Sequence, residues 1–465
     1  MAYWGRRTRN LKGNELETIT MGGGVNTALT PYTIPKSDAY DSRNTSSHNY
    51  PALSVRRGFT LSFGTGVTPL TTPNGATVRN ATALHVVDGA VWKRWSGSEF
   101  VNVATGLTNS TANFLEFNRE SDRLTLMFNG TDKKAYDGST ITDITQAPDT
   151  KLITLDDYRL YCLKDAKLQI SAVNNPFDFT SFEDAVPNLV LAGMEGTETA
   201  LASYQDMVIA WSDKTMHLLL GDRFDNFQLM DPIQAGCVSH RSVIEHNSRL
   251  YFMDYNKYKV FTGGFPVDVS QKVKVYLENI NYTDKEKIVA GSQGKYIYLS
   301  IPYGSSATTN NLTLEYDTEL GNWYPINKGY INFVNIGEAL YGVTVTGTIE
   351  QINSGTLDAG TPIAWSHTTG VLSPVPVRSN KTLSNIWLEL DLPTGSTMAV
   401  GFAANTDGET FTNIFNFTAS ADEQRARVQL PTNTLQNVER YRLRLSGTGP
   451  ATVHFVEIEE RLKAR

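Results

Sequence analysis

Hydrophobic residues alternate with polar ones almost everywhere along this chain. RLTLMF at 123–128, KLQISA at 167–172, NLTLEY at 311–316 and IWLELDL at 386–392 all carry a period of two. That rhythm belongs to strands with one face in a core, and it excludes long amphipathic helices. Only short stretches such as TDKEKI at 283–288 suit a helical turn or two. A second, longer period lies over the first. A polar turn followed by an apolar pair recurs in DDYRLYCL, HNSRLYFM, SQGKYIYLS and GEALYGV, and more weakly in DGAVWKRW, SDRLTLMF and YQDMVIAW. The apolar markers fall at Val91, Leu124, Leu160, Val208, Leu250, Ile297 and Leu340, with gaps of 33 to 48 residues. A strand-only repeat of about 40 to 45 residues is the length of one four-stranded propeller blade.

The repeat therefore predicts an all-β fold, a β-propeller of six or seven blades across residues 61–372, preceded by an extended N-terminal segment, 1–60. The gap of 48 residues leaves room for an insertion. Large β-sandwiches also present strands every 8 to 12 residues, so the sandwich is the competing architecture. A propeller closes its ring with a strand from one terminus, because an unpaired sheet edge invites aggregation. SVRRGFTLSF, 54–63, is the candidate closing strand. After VLSPVPVRSN, whose two prolines suit a linker, the marker rhythm stops, and six strand-like segments in the remaining stretch predict a small β-sandwich at 373–465.

With 465 residues, 40% hydrophobic, the chain buries a sizeable core. The net charge of −7 selects no polyanionic partner and excludes none. Cys162 and Cys237, 75 residues apart and outside any CxxC, are expected as two reduced, partly buried thiols. No apolar run suits a signal peptide or a membrane span, which places synthesis in a cytoplasm. The Asn-x-Ser/Thr triplets at Asn44, Asn80, Asn129, Asn281 and Asn416 carry no weight without a secretion signal.

Catalytic constellations are scarce. GxxxxGK[ST], HExxH and GxSxG are all missing, and no catalytic residue, cofactor or metal ligand is assigned. His240 and His246, six apart, are read as structural histidines rather than metal ligands. Asp156 and Asp157 are read as a blade turn in which Asp caps backbone amides. MGGGVNTAL, 21–29, lacks the following helix and the Lys-Ser/Thr of a phosphate loop and is read as a flexible turn. NTDGETF, 405–411, is one residue short of the Asp-box of sialidases and occurs once, so Asp407-Gly408 is read as a hairpin turn.

One stretch points further. GGGVNTALTPYTIPKSDAYDSRNTSSHNYPALSVRRG contains Gly24, Asn26, Pro35, Asp38, Ala39, Asp41, Asn44, Tyr50, Pro51, Ala52, Leu53, Arg57 and Gly58 in an order that resembles the N-terminal signature of bacteriophage virion β-propeller proteins. The arginine stands one place nearer the glycine than in that family. The end, YRLRLSGTGPATVHFVEIEERL at 441–462, is similar to the family's closing strands. The resemblance implies a relative of the tail nozzle or hub proteins of short-tailed phages. It implies a homo-oligomeric ring, six-fold in that family, below the portal and adaptor, located in the virion tail and conducting DNA. It brings no catalytic residue and no cofactor.

The same segment is read as an inter-subunit or docking arm. Its basic end, Arg6, Arg7, Arg9 and Lys12, suits docking on a partner or a passing contact with genomic DNA, and Tyr50, Pro51, Leu53 and Arg57 carry the rest. Two other readings stay open. One is a receptor- or glycan-binding propeller using Trp92, Trp95, Trp211 or Trp323 as stacking platforms. The other is a propeller glycosidase, which needs two carboxylates about 5 to 10 Å apart.

Overall fold

The computed structural model describes residues 15–63, 69–119, 122–181, 184–221, 223, 225–372, 381–404, 410–431 and 436–462. Two units divide the chain. One holds Phe59–Gly321 and Ile326–Ser354; the other holds the described residues up to Gly58, Asn322–Pro325 and those from Gly355 on.

The first unit is a β-propeller of seven blades, the larger of the two expected numbers. Blade 1 is Pro73–Arg79, Ala83–Asp88, Val91–Trp95 and Phe100–Thr105; blade 2 is Asn113–Asn118, Arg123–Phe128, Lys133–Tyr136 and Ile141–Asp143. Blade 3 is Ile153–Asp156, Arg159–Lys164, Lys167–Ile170 and Val186–Val190; blade 4 is Glu198–Tyr204, Met207–Ser212, Met216–Leu220 and Gln228–Leu229. Blade 5 is Ile244–His246, Arg249–Asp254, Lys257–Phe261 and Val267–Asp268. Blade 6 contributes Val289–Gln293, Tyr296–Ile301 and Leu312–Asp317 to this unit. Blade 7 takes Asn332–Ile336, Ala339–Val343 and Ile349–Ile352, and its fourth strand is Phe59–Ser62, paired Phe59 to Ile352 and Ser62 to Ile349. The closing strand lies inside the stretch 54–63. The first strands of successive blades neighbour one another, except that blade 4 meets blade 5 through the turn His240–Ser242, and that of blade 7 returns to Pro73–Arg79, so the ring is shut.

The long sequence period has a local cause. Two successive residues with positive φ join the first and second strands in four blades: Asn80 and Ala81, Asp157 and Tyr158, Gln205 and Asp206, Asn247 and Ser248. These are two-residue hairpin turns whose twist matches the strands, and short polar residues suit them. The strand that follows packs against both neighbouring blades and loses its alternation: Tyr296–Ile301 is buried at every position. Apolar pairs after polar turns therefore mark second strands. Six of the seven markers sit there, but Val91 begins the third strand of blade 1, and Leu84 holds the equivalent place. Third strands keep the alternation, as in Lys167–Ile170, where Leu168 and Ile170 are buried. The space left by the longest gap is the loop 171–185, between the third and fourth strands of blade 3.

Apolar clusters lie between blades rather than within them. Phe117, Leu126 and Phe128 of blade 2 pack with Leu160 and Cys162 of blade 3, and Trp211 of blade 4 with Phe252 and Phe261 of blade 5. Among the described residues helix is limited to short turns, His240–Ser242, Gln271–Val273, Lys274–Glu278 and Tyr282–Lys287, of which only the last falls where the sequence predicts one. No helix among the described residues is long and apolar enough to cross a membrane.

The second unit is a β-sandwich. One sheet runs Thr45–Ser46, Leu53–Val55, Thr452–Leu462, Lys381–Leu392, Glu423–Gln429, with Glu15–Ile19 also on Thr452–Leu462 and Gln436–Val438 on Lys381–Leu392. The other runs Ala39–Arg43, Ala364–Thr369, Tyr441–Thr448, Thr397–Ala404, Thr412–Thr418. Ile386, Leu388, Val400, Leu443 and Val456 fill the space between them. This unit is larger than the sequence reading drew it. The described N-terminal residues lie in both of its sheets, and Ala364–Thr369, placed by sequence in the propeller, is one of its strands.

The glycines at 22–24 are close-approach points. A Cβ on Gly23 would stand 2.3 Å from Asp38 Oδ1, and one on Gly24, at φ +75°, 2.6 Å from Trp323 O. Val25 N–H donates to Trp323 O at 2.8 Å and Ala39 N–H to Gly24 O at 2.7 Å. The expected flexible turn is thus a packed crossing of backbones, which only glycine permits.

Candidate functional site

Five loops that lead into the first strands of blades 2 to 6 converge on one cavity of about 570 Å³, within the size range of small-ligand sites. The loops bring Thr108 to Asn113, Asp149 to Leu152, Thr197 to Thr199, Val238 to Arg241, and Lys285 with Glu286. A second cavity, about 300 Å³, adjoins on the side of blades 1, 6 and 7 and shares Thr111 and Arg241 with the first. Blades 2 to 6 each contribute one such loop to the first cavity.

Many of these polar groups hold the loops in place. Asn113 Nδ2 donates to Lys151 O at 2.7 Å, and Ser239 Oγ to Ile288 O at 2.7 Å. The acids are also engaged. Lys151 Nζ meets Glu286 Oε2 at 2.8 Å, joining the loops before blades 3 and 6, and this hydrogen bond holds the Glu286 carboxyl below its ordinary range. Asp149 meets Lys133 at 2.6 Å, and Glu198 Oε1 accepts the Ala166 N–H at 2.5 Å. A glycosidase pair of opposed, available acids is not the arrangement of these three.

Arg241 differs. Its Nη1 donates to Ile331 O at 3.0 Å, and among the described residues no carboxylate forms an ion pair with it. Burial lowers its pKa to about 10, only partly opposed by the charge of Glu286. The adjacent His240 accepts the Leu201 N–H on Nδ1 at 3.3 Å. Burial first, then the charges of Arg241 and Lys151, lowers its pKa to about 4, so it is neutral at pH 7. With Nδ1 accepting, the proton sits on Nε2. The mouth therefore offers donors: a guanidinium, an imidazole N–H and hydroxyls.

The residues singled out by sequence fall elsewhere. Arg6, Arg7, Arg9 and Lys12 lie outside the described residues. Tyr50, Pro51 and Arg57 are exposed. Leu53 is not: at 3% exposure it belongs to the sandwich core, because its strand pairs with Thr452–Leu462, and it is corrected from docking residue to core residue. Trp92, Trp211 and Trp323 are fully buried, and Trp95 packs edge-on against Phe63 and Phe100, so these rings fill cores rather than form platforms. Asp156 accepts the Ser203 hydroxyl at 2.6 Å and Asp157 stands in a turn at φ 42°, away from the mouth. Residues 405–409 of the Asp-box-like stretch lie outside the described residues. No group of three or more His, Cys, Asp or Glu among the described residues is placed to hold a metal. Both cysteines are free and buried. Sequence reading missed Arg241, Lys151 and Glu286, since no spacing links residues drawn from separate blades.

No family model and no curated protein matches the chain. Solved structures do. One is a streptogramin B lyase, at 8% identity and TM-score 0.43, covering 63% of this chain and 97% of that one. A second is the computationally designed Ika8 protein, at 11% identity and TM-score 0.40, covering 73% and 99%. A third is the extracellular domain of a hybrid two-component system from B. thetaiotaomicron, at 11% identity and TM-score 0.45, covering 82% of this chain and 50% of that one. The propeller assignment rests on the chain's own seven sheets.

Proposed function

We propose that this chain is a structural protein of a phage tail, a subunit of a nozzle or hub ring that sits below the portal and adaptor and forms part of the DNA exit path. The observation that carries the reading joins sequence to fold. The two stretches that resemble virion propeller proteins, residues 22–58 and 441–462, come together in one sandwich, where Leu53 pairs with Val453 and Ser54 with Thr452. Residues of the resemblance also fix the N-terminal stretch to itself and to Ala364–Thr369 of the same sandwich. Asn26 Nδ2 donates to Asp38 Oδ2 at 2.9 Å, Asn44 Nδ2 to Ala364 O at 2.7 Å, and Ala39 is fully buried. A signature that secures a brace is what a load-bearing part requires, and it is independent of any reaction.

Exposed apolar residues on the outer edges of three consecutive blades support side-to-side contact. Val190 of blade 3 is 57% exposed, Met230 beyond the last strand of blade 4 is 48%, and Phe265 and Val267 of blade 5 are 85% and 60%. Exposed apolar residues of this kind mark interaction surfaces, and one heterologous contact repeated around an axis closes a ring. The test is native mass measurement of the purified chain, alone and with portal and adaptor, followed by imaging of virions labelled on this chain. A closed ring, six-fold by the resemblance, and label at the tail axis are expected. A chain that stays monomeric with both partners present refutes the proposal.

A further inference from the structure

We propose that the cavity formed by the loops of blades 2 to 6 binds a carboxylate-bearing sugar, its carboxylate taken by Arg241 and its hydroxyls by His240 and Thr111. This does not depend on the tail-ring reading. A half-buried arginine loses hydration, and Arg241 makes no ion pair among the described residues, since the nearby Glu286 is held by Lys151; a bound anion supplies that partner. Arg241 makes one hydrogen bond, to the Ile331 carbonyl, which leaves the remaining N–H donors of its guanidinium for a ligand.

Three further observations select the ligand. Arg241 and Thr111 line both cavities, so a ligand of one ring spans the boundary between them. Thr111 Oγ1 has no hydrogen-bond partner among the described residues, and neither has His240 Nε2, whose proton is fixed there because Nδ1 accepts from Leu201. Lys151 is held by Glu286 at 2.8 Å and Lys285 lies 3.7 Å from Asp213. Lys164 lines the first cavity but not the second, and Lys287 of the second is held by Asp284. At the boundary Arg241 is therefore the one cation without an ion pair among the described residues, which suits a single negative charge on a polyol better than a phosphate dianion. The lining is mixed, with hydroxyls of Thr108, Ser110, Thr131 and Thr199 beside apolar side chains of Leu152, Leu163 and Val238, which suits the polar rim and apolar ring face of a sugar.

Titration calorimetry on the full chain tests this with galacturonate, galactose and inorganic phosphate as probes. Galacturonate is expected to bind at least about tenfold more tightly than galactose, a difference of one charge-assisted pair. Arg241→Gln, which keeps a donor for the Ile331 carbonyl, removes that preference, and Arg241→Lys, which keeps the charge, weakens galacturonate by about tenfold through loss of the planar fork. Thermal melts of both variants verify folding. Should Arg241→Gln fail to fold, Thr111→Val carries the test, with an expected loss of severalfold in galacturonate affinity. Absence of galacturonate binding, binding unchanged in the folded variants, or phosphate bound more tightly than galacturonate each overturns the proposal.

Discussion

Replacing Phe59 by alanine should open the ring at its seam. Phe59 is 7% exposed on the strand that completes blade 7, and the Lys328 ammonium stands 3.9 Å from its ring centroid. Truncating a buried phenylalanine costs about 3 to 5 kcal/mol, and a partly exposed cation–π contact adds at most about 1 kcal/mol. Lys328 stays in place, since its Nζ also meets Glu350 Oε1 at 2.7 Å, so the lower part of that sum applies. The expected loss is about 4 kcal/mol of local stability, which corresponds to about a thousandfold faster hydrogen exchange in the strand paired with it. The assay is exchange measured by mass spectrometry on peptides covering Ile349–Ile352, with Thr60→Ala, an exposed change on the same strand, as the control. Thr60→Ala should leave exchange within about threefold, a change of about half a kcal/mol. If Phe59→Ala leaves exchange at Ile349–Ile352 within about tenfold of wild type, the strand is not what holds the ring shut.

Three more predictions concern other parts of the chain. His85, 1% exposed, accepts the Trp92 indole N–H at 3.1 Å, and burial, aided by Arg79 and Arg94, lowers its pKa to about 4. The unfolded chain binds this proton near pH 6.5 and the folded one only near 4, so propeller stability should fall with pH across that window, by up to about 3 kcal/mol, and His85→Gln should flatten the slope of urea midpoint against pH. Arg56, 7% exposed, grips Asp358 with two N–H donors at 2.8 and 2.5 Å and Asn44 Oδ1 at 3.1 Å. Asp358→Asn should destabilise the sandwich by about 2 kcal/mol in urea unfolding, less than a fully buried pair because the aspartate is partly wet; a change under about 0.5 kcal/mol would refute the clamp. Burial pushes the Cys237 thiol up to about 12 and the Cys162 thiol further, so neither should react with Ellman's reagent at pH 8 until denaturant is added.

The blade rhythm was legible because the second strands are largely buried on both faces and, in four blades, the preceding turn holds two residues at positive φ, the first or both of them polar. Leu160 after Asp157 and Tyr158, or Leu250 after Asn247 and Ser248, is therefore a local signal. In blade 1 the apolar pair Val91 and Trp92 on the third strand competes with Leu84 on the second, and the eye takes the former. The sandwich was only half visible, since its decisive pairs, such as Leu53 with Val453 and Glu15 with Glu460, join residues about four hundred apart and leave no local trace. Glycine misled for a related reason: Gly22–Gly24 looks like slack chain until the backbones that crowd it are known. The mouth was illegible throughout. Arg241 occupies an unremarkable SHRS stretch, and its meaning comes from the ion pair it lacks among the described residues, because Glu286 of the loop before blade 6 is taken by Lys151.

The order in which strands are made follows from the pairing just described. The four strands of blade 7 end at Ile352, so the wheel can shut while Thr452–Leu462, which begins about a hundred residues further on, is still unsynthesised. The early segment that ends at Leu53–Val55, by contrast, waits for Thr452–Leu462, a strand made about four hundred residues later. Until then its sticky strand edges are open to a nascent neighbour on the same messenger, which makes late translation the stage at which this protein is most prone to swap strands between copies.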